Sequence, residues 1–338
     1  MPKVIAEIGV NHNNSKDILT GLIEGAASCG VDMIKFQRFI SSNEIASSAP
    51  LAAYQRSEAY SSQLEMAESL EMDDQLLNYG VSLCNELGVE PICSVFEQQS
   101  LHYINSNFSF NTLKLPSPEI TNIPLLIESS RLYNNIILST GASDLSEVAT
   151  AVKIIKEVNP DVSLSLLHCV SEYPAPLESL NLSSMLSMSH AFKLPIGFSD
   201  HTLGTHAAIA AMTLGAVFIE KHITLDKLLT GPDHKASATL DELREICMFS
   251  KRVTQMLGDG LKAPHSSELS NKDLIRKSLY INVKSISKGD QFTKDSIQCK
   301  RPYSKDLLSP DKYFDVIGKE CLNDLSYDQG LSIKDVDW

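Results

Sequence analysis

The sequence predicts a parallel α/β barrel followed by a smaller domain rich in β structure. Short apolar runs with many β-branched residues alternate eight times with stretches of helical periodicity, over about 250 residues. Eight repeats are what a (β/α)8 TIM barrel needs, whereas a doubly wound sheet usually has fewer strands. The last part of the chain shows short alternating runs broken by KGD and DQG turn signals, which is typical of a small β-rich domain.

The predicted strands are spaced regularly along the chain. They are VIAEIG (4–9), DMIKFQ (32–37), PICSVF (91–96), TLKLP (112–116), NIILST (135–140), LSLLHCV (164–170), PIGFSD (195–200) and VFIEKHIT (217–224). Helical segments lie between them, and the first is DILTGLIEGAASCG, which Ser15 can cap and Gly30 can end. Its apolar residues share one face, as expected for a helix that packs on a barrel.

A change in character near the C-terminus divides the chain. We predict a TIM barrel over residues 1–262, a linker over 263–276 and a small domain over 277–338. The connecting stretch carries Gly, Pro, Ser and charged residues, which is typical of an exposed linker. A domain of about 60 residues buries only a marginal core and should depend on other contacts for stability.

Composition excludes several classes of function. The chain has 338 residues, a formal charge of -13 and 43% hydrophobic residues, which argues for a globular protein and against nucleic acid or anionic membrane as a partner. No stretch approaches the roughly 20 apolar residues of a membrane span, and strand-like sequence begins without a signal peptide, so we expect a cytoplasmic protein. The seven scattered cysteines form no C-x-x-C pair, so we expect core residues rather than disulfides or a zinc site.

Polar residues recur at the C-terminal ends of the predicted strands. The run FIEKHIT, for example, carries three ionisable residues in a segment that otherwise looks buried. The same pattern gives Glu7, Lys35, Gln37, Ser94, Lys114, Ser139, Thr140, His168, Ser199, Asp200, Glu220, Lys221 and His222. In a TIM barrel these strand ends converge on one mouth, where active sites are built. A single buried charge would indicate only an ion pair, but recurrence at one end of many strands predicts an active site.

The residue types at this mouth indicate an anionic small-molecule ligand. Lys35 and Lys114, together with several serine hydroxyls, can hold a phosphate or a carboxylate. His201 and His222 follow adjacent strands and could share a metal ion, although two histidines that hydrogen-bond within the core are an equally good interpretation of the residues alone.

Three further residues have open assignments. Glu7 and Glu119 could deprotonate water or a hydroxyl group, or Glu7 could pair with a lysine. Arg301 in CKRP could clamp a ligand or lie solvated on the surface.

At these residues the chain resembles the sialic acid synthase family over essentially its whole length. The resemblance is carried by IAEIGVNHNNS, IKFQ, SQLEMAESLEM, LKLPSPEITNIP, IILSTG, LLHCVSEYPAP, GFSDHTLG, FIEKHITLDK, GPDHKAS, RKSLY and KRP. It implies a phosphoenolpyruvate-dependent transferase of the N-acetylneuraminate synthase type, which forms a carbon–carbon bond in sialic acid and carbohydrate biosynthesis. It also implies a C-terminal antifreeze-like (SAF) domain and a homodimer in which that domain is swapped.

The resemblance implies a role for each matching residue. His201 and His222 would bind a divalent metal, most often manganese, with magnesium or cobalt as alternatives. The phosphoenolpyruvate ligands would be Lys35, Ser94, Lys114, Ser117, Ser139 and Ser199. The sugar ligands would be Gln37, Tyr173, Asp233 and, from the partner's tail, Arg301. Glu7, Glu119 and Lys35 would act in catalysis, and no organic cofactor is expected.

Departures from the family pattern leave the sugar open. Pro118 stands where a glycine is usual, and the loop KRPYSKDLLSP is longer than its usual counterpart. The resemblance as a whole leads us to expect N-acetylmannosamine as the acceptor and N-acetylneuraminate as the product. The alternative is a legionaminate or pseudaminate synthase that uses a 2,4-diacetamido-2,4,6-trideoxyhexose. A non-catalytic barrel is a third hypothesis, which the retained histidines, lysines and glutamates disfavour.

Overall fold

The computed structural model describes residues 1–50 and 60–338, which form two compact units. The first unit spans Met1–Gly258 and the second spans Asp259–Trp338. Within the described residues, no helix is both long and apolar enough to cross a membrane. The cysteines are all free, and six of the seven are buried.

The first unit is a closed barrel of parallel strands in sequence order, which confirms the predicted TIM-barrel fold. The strands β1 to β8 are Lys3–Glu7, Met33–Arg38, Glu90–Val95, Leu113–Leu115, Asn135–Ser139, Ser163–Cys169, Ile196–Asp200 and Phe218–His222. The last strand pairs with the first, and Glu7 lies opposite His222 in this pairing. Barrel closure therefore brings the two ends of this chain segment together at the mouth.

Helices surround the barrel on the outside. In chain order, α1 to α10 are Lys16–Cys29, Ser41–Glu44, Gln63–Leu70, Asp74–Glu86, Gln98–Asn107, Ile123–Leu132, Leu145–Val158, Ser184–Phe192, His206–Thr213 and Leu240–Leu257. The predicted caps of α1 are present, because Ser15 Oγ accepts a hydrogen bond from Ile18 N and Gly30 adopts a left-handed φ of 80°.

Two apolar layers hold the strands in place. The larger one lies between the strands and the helices and includes Ile219 of β8. The smaller one fills the barrel interior with Ile5, Met33, Ile92, Ile137 and Leu167, against which Phe218 packs. Because side chains alternate along a strand, the residues that follow this interior plug point into the mouth at every second position.

The second unit is small and contains short antiparallel strands. Its elements are α11 (Ser266–Ile275), β9 (Ser278–Ile281), β10 (Ser285–Ile286), β11 (Ile297–Lys300), α12 (Tyr313–Val316) and β12 (Leu325–Ser326). Strand β9 pairs with β11, and β10 pairs with β12. A separate core includes Leu279, Ile281, Phe292 and Val316. The predicted linker, 263–276, contains α11, all of which is exposed, and the antifreeze-like assignment stays a prediction.

Candidate active site

A cavity of about 280 Å³ opens at the C-terminal ends of the barrel strands. Of the residues predicted for the site, those that line it are Glu7, Lys35, Gln37, Ser94, Lys114, Ser117, Ser139, Tyr173, Ser199, His201, His222 and Asp233. Every strand except β6 supplies at least one of them, so convergence at the barrel mouth brings together residues that are far apart in sequence.

An ionic cluster forms the floor of the cavity. Lys35 Nζ lies 2.8 Å from Glu220 Oε1 and 3.5 Å from Glu7 Oε1. Lys114 Nζ donates to Ser139 Oγ at 2.7 Å and lies 3.8 Å from the same Glu220 oxygen. All four charged side chains are at most 5% exposed. Such a cluster brings two positive and two negative charges out of water at one place.

The charges shift each other's pKa values. Burial raises the pKa of Glu7 to about 7, although Lys35 opposes the shift. Burial lowers the pKa of Lys114 to about 8, with partial compensation from Glu220. Burial alone would raise the pKa of Glu220, but Lys114 and Lys35 hold it well below its usual range. Glu220 is therefore the permanent counter-charge, while Glu7 and Lys114 titrate near neutral pH.

Several polar atoms of the floor have no hydrogen-bond partner among the described residues. They are Glu7 Oε2, Glu220 Oε2, Ser94 Oγ and His222 Nδ1. Buried polar atoms are nearly always hydrogen-bonded in proteins, so a cluster of exceptions that faces a cavity indicates a polar ligand. A ligand with several oxygen atoms suits the lysines and the serine hydroxyl.

The two predicted metal ligands face each other at the mouth. The ring centroids of His201 and His222 are 5.9 Å apart. His201 Nδ1 lies 2.6 Å from the carbonyl oxygen of Val170, which fixes the ring so that Nε2 faces Tyr173. Asp233 Oδ2 lies 3.7 Å from His222 Nδ1. Burial lowers the pKa of His201 to about 4 and that of His222 well below its usual range, so both rings are neutral.

These donors fit a divalent metal with open positions. Neutral imidazoles and a nearby carboxylate are ligands that such ions accept, and His222 Nδ1, which has no hydrogen-bond partner within the described residues, is a ring nitrogen that could ligate a metal. In the described part of the chain, however, no group of three or more His, Cys, Asp or Glu side chains forms a complete protein-only site. Water or substrate would have to supply the other ligands.

Gly9 allows the first loop to approach His222 closely. It has a φ of +55°, and a Cβ atom at this position would lie 3.0 Å from both Cε1 and Nδ1 of the imidazole ring. Any side chain here would be strained and would displace the ring. The glycine is therefore part of the site.

Two predicted residues lie elsewhere, and one participant was not assigned. Glu119 is in a 3-10 helix, Ser117–Thr121, where it accepts a hydrogen bond from Asn122 Nδ2 at 2.6 Å, and it does not line the cavity. Arg301 belongs to the second unit, where its Nε donates to the carbonyl oxygen of Ile275. Sequence reasoning noticed Glu220 at a strand end but gave it no role, because its contacts with both lysines depend on three separate strands.

A second ionic network lies behind the cavity, on the outer face of the same strands. Lys221 Nζ donates to Asp200 Oδ2 and to the carbonyl oxygen of Thr202, both at 2.7 Å. The other Asp200 oxygen accepts hydrogen bonds from the backbone N–H and the hydroxyl of Thr202. These residues are at most 1% exposed. The network ties the end of β7 to β8 and so supports the histidines that follow.

The chain is similar to known proteins over most of its length. A family model described as the NeuB family matches residues 22–262, which is more than half of the sequence. The chain belongs to the NeuB family. It is 39% identical over 319 residues to an N,N'-diacetyllegionaminic acid synthase of Campylobacter jejuni, with 94% of each chain covered. It is 36% identical to the enzyme of the same name from Legionella pneumophila, with 96% and 91% covered.

A solved structure of a sialic acid synthetase agrees with this assignment. The crystal structure of an N-acetylneuraminic acid synthetase from Leptospira borgpetersenii, in complex with citrate, superposes with a TM-score of 0.71 and 29% identity. The match covers 80% of this chain and 90% of that one. The resemblance to sialic acid synthases is thereby confirmed, and the NeuB-family chain is an enzyme, a transferase that forms a carbon–carbon bond.

Proposed function

We propose that this enzyme condenses phosphoenolpyruvate with 2,4-diacetamido-2,4,6-trideoxymannose to give N,N'-diacetyllegionaminate and phosphate. The observation that carries the proposal is the ranking of its relatives. The two named N,N'-diacetyllegionaminic acid synthases are 39% and 36% identical to the chain, whereas a pseudaminic acid synthase of Helicobacter pylori and a human N-acetylneuraminate-9-phosphate synthase are each 28% identical. N-Acetylmannosamine, which the sequence analysis put first, becomes the alternative acceptor.

The ionic floor supports phosphoenolpyruvate as the donor. Its phosphate and carboxylate would pair with Lys35 and Lys114, and Ser94 Oγ would donate to one of their oxygens. This pairing gives partners to buried groups that have none among residues 1–50 and 60–338. Because Glu220 is shared by both lysines, it fixes their spacing before the substrate binds.

The reaction converts phosphoenolpyruvate, the open-chain sugar and water into a 2-keto acid and phosphate. C3 of phosphoenolpyruvate attacks the aldehyde carbon, which consumes the C2–C3 double bond and the carbonyl double bond of the aldehyde. Water adds to C2, and the bond between C2 and the phosphate oxygen then breaks to leave a ketone. The two protons of the water end on the former aldehyde oxygen and on the released phosphate. Glu7 would accept the proton of the water at Oε2, for which its raised pKa of about 7 is suitable. The catalytic role predicted for Glu119 requires it to act from outside the cavity lining, through a neighbour.

A divalent metal, with manganese as the first candidate, would be held by His201 and His222. When bound, it would supply Lewis acidity at the aldehyde oxygen. We expect His222→Ala to abolish metal-dependent turnover and to weaken manganese binding by at least about tenfold, because one of two protein ligands is lost. Circular dichroism controls for folding, and a variant that retains both binding and turnover would exclude this metal site.

We also propose a homodimer in which Arg301 of one protomer contacts the sugar bound by its partner. Its exposed position on the small unit leaves the guanidinium available for such a contact. Arg301→Ala should raise the sugar KM with little change in the phosphoenolpyruvate KM, while Lys305→Ala, an exposed charge in the same loop, should change neither. Light scattering tests the dimer. Equal losses for both substrates would refute the role of Arg301.

The decisive experiment measures phosphate release from phosphoenolpyruvate with manganese and several acceptors. The acceptors are 2,4-diacetamido-2,4,6-trideoxymannose, N-acetylmannosamine and the diacetamido sugar of the pseudaminate series, and mass spectrometry identifies each product. We expect the highest kcat/KM with the first. A clear preference for N-acetylmannosamine would restore the sialate assignment, and silence with all three would refute the proposal and place the acceptor outside this series.

A further inference from the structure

The side of the cavity away from the ionic floor is apolar. We call it the apolar wall and define it by its cavity-lining members: Val10, Phe39, Ile45, Met66, Ala67, Leu70 and Phe96. The floor carries two lysines and two glutamates, whereas Glu44 and Gln63 are the polar side chains that line the cavity beside the apolar wall. The cavity thus has two chemically different ends, and a ligand that fills it should differ in the same way.

Elements from one side of the barrel build the apolar wall. Val10, Phe39 and Phe96 each follow one of the strands β1 to β3. The rings of Phe39 and Phe96 pack edge to face with centroids 5.6 Å apart. Ala67 of α3 packs into the same apolar cluster as Val10 and Phe39. Since these side chains support one another, the wall is preformed and does not depend on a ligand for its shape.

The apolar wall begins next to the histidine pair. Gly9, which approaches the His222 ring, immediately precedes Val10 in the loop after β1. A sugar whose reacting aldehyde lay at His201 and His222 would have this wall available for its far end. In the open-chain form, that far end consists of C4 to C6 and their substituents.

We propose that the apolar wall determines which sugar the enzyme accepts, by contacting the C6 methyl group and the methyl of the 4-acetamido group of a 6-deoxy diacetamido sugar. This inference rests on the proposed function and adds the device that selects the acceptor. N-Acetylmannosamine presents hydroxyl groups at C4 and C6 instead. Placed against the wall, those hydroxyls lose water and gain no hydrogen bond.

Two polar side chains next to the wall suit the amide of the second acetamido group. Glu44 precedes Ile45, and Gln63 begins the helix that carries Met66 and Ala67; both line the cavity. A carboxylate can accept from an amide N–H, and a glutamine can bond to either end of the amide. Methyl contacts and one amide contact together distinguish an acetamido group from a hydroxyl.

The test uses three acceptors to separate the effect of the C6 substituent from that of the C4 substituent. They are N-acetylmannosamine, its 6-deoxy analogue, and 2,4-diacetamido-2,4,6-trideoxymannose, each assayed for kcat/KM at saturating phosphoenolpyruvate. We expect kcat/KM to rise by roughly tenfold or more when the C6 hydroxyl is removed, and again when the C4 hydroxyl is replaced by an acetamido group. One group matched to an apolar pocket typically changes kcat/KM by about 10-fold to 200-fold.

Matched variants then locate the selection in the wall. Ile45→Thr and Ile45→Val have side chains of nearly the same shape and differ by a hydroxyl in place of a methyl. Ile45→Thr should lower the preference for the diacetamido sugar over N-acetylmannosamine by about fivefold or more relative to Ile45→Val. Val10→Thr should act in the same direction. Unchanged KM values for phosphoenolpyruvate and unchanged circular dichroism would show that the floor and fold are intact.

The outcomes distinguish this inference from the proposed function. If the wild-type enzyme prefers N-acetylmannosamine, the proposed function fails whatever the variants do. If it prefers the diacetamido sugar but both threonine variants keep the wild-type ratio, the proposed function stands and the apolar wall is not the selecting element. A lower ratio in both threonine variants, with the valine control near wild type, supports the wall.

Discussion

Glu220 and Lys221 are neighbours in sequence but belong to two different ionic networks. Glu220 points into the cavity, where it contacts Lys35 and Lys114 and keeps one oxygen without a partner among the described residues. Lys221 points outward, where its contacts with Asp200 and Thr202 are short and the aspartate uses both of its oxygens. Both networks are almost completely buried.

The difference shows how to tell a ligand site from a structural ion pair. Burying a charge is tolerated when hydrogen bonds replace those lost with water. The outer network meets this condition with protein groups alone. The inner one leaves Glu7 Oε2, Glu220 Oε2 and Ser94 Oγ without hydrogen-bond partners in the part of the chain that the structure describes, and a substrate could supply such partners. The two networks therefore differ in whether their polar atoms have hydrogen-bond partners, and not in burial or charge. We expect them to respond differently to mutation.

The largest effect on stability should come from the outer network. Lys221→Met leaves the Asp200 carboxylate buried without a cation, so the free energy of unfolding should fall by about 3–5 kcal/mol. Urea denaturation measures the loss, and the phosphoenolpyruvate KM of the remaining folded enzyme should stay near wild type. The double variant Lys221→Met with Asp200→Leu should recover part of the lost stability. If Lys221→Met alone were as stable as wild type, the proposed difference between the two networks would be wrong.

Lys35→Met in the inner network should instead reduce activity. The kcat/KM for phosphoenolpyruvate should fall by about 10²–10³, as expected when a preorganised charge is removed from an active site. The loss of stability should be smaller than for Lys221→Met, because Glu7 already has a pKa of about 7 and can take up a proton. Steady-state kinetics and urea denaturation of both variants check this reversal. Similar unfolding free energies for the two would contradict it.

The lowered pKa of Lys114 predicts a pH dependence that the outer network should not produce. A lysine with a pKa of about 8 is charged below that pH and neutral above it, so the phosphoenolpyruvate KM should rise by up to tenfold per unit as pH increases beyond about 8. Lys114→Arg stays charged and should remove this dependence. A wild-type KM that stays constant up to pH 9.5 would count against Lys114 as an anion ligand.

The smallest effect is expected for Ser94→Ala. Its hydroxyl oxygen has no partner among the described residues, so removing it should change the unfolding free energy by less than about 0.5 kcal/mol. The same change should raise the phosphoenolpyruvate KM a few-fold, because one donor to the anion is lost. Ser100→Ala is the matched control, because the buried Ser100 hydroxyl also has no partner in the described part of the chain but lies outside the cavity lining, and it should leave KM unchanged.

Most of the barrel could be predicted from local pattern. The predicted strand 91–96 is Glu90–Val95 in the structure, and the predicted 112–116 is Leu113–Leu115. Such small differences at the ends are usual, because strand ends depend on pairing rather than on composition. Twelve of the predicted site residues also line one cavity, since the geometry of the barrel requires the C-terminal strand ends to converge.

The orientation of individual side chains could not be predicted in the same way. The sequence pattern predicted Glu119 at the site, but in the structure it lies in a 3-10 helix and accepts a hydrogen bond from Asn122. Pattern also treated Glu220 and Lys221 alike, although strand alternation puts them on opposite faces. The apolar wall was missed because its members come from four loop positions and from helix α3, which share no sequence motif.

The sequence by itself determined the barrel, the positions of its strands and the set of polar residues at its mouth, because periodicity and strand-end chemistry are local properties. Only the tertiary structure decided which charges share a partner, which polar atoms lack one, and which face of the cavity is apolar. These depend on distances between residues such as Val10, Phe96, Lys114 and Glu220, which barrel closure brings together across the chain.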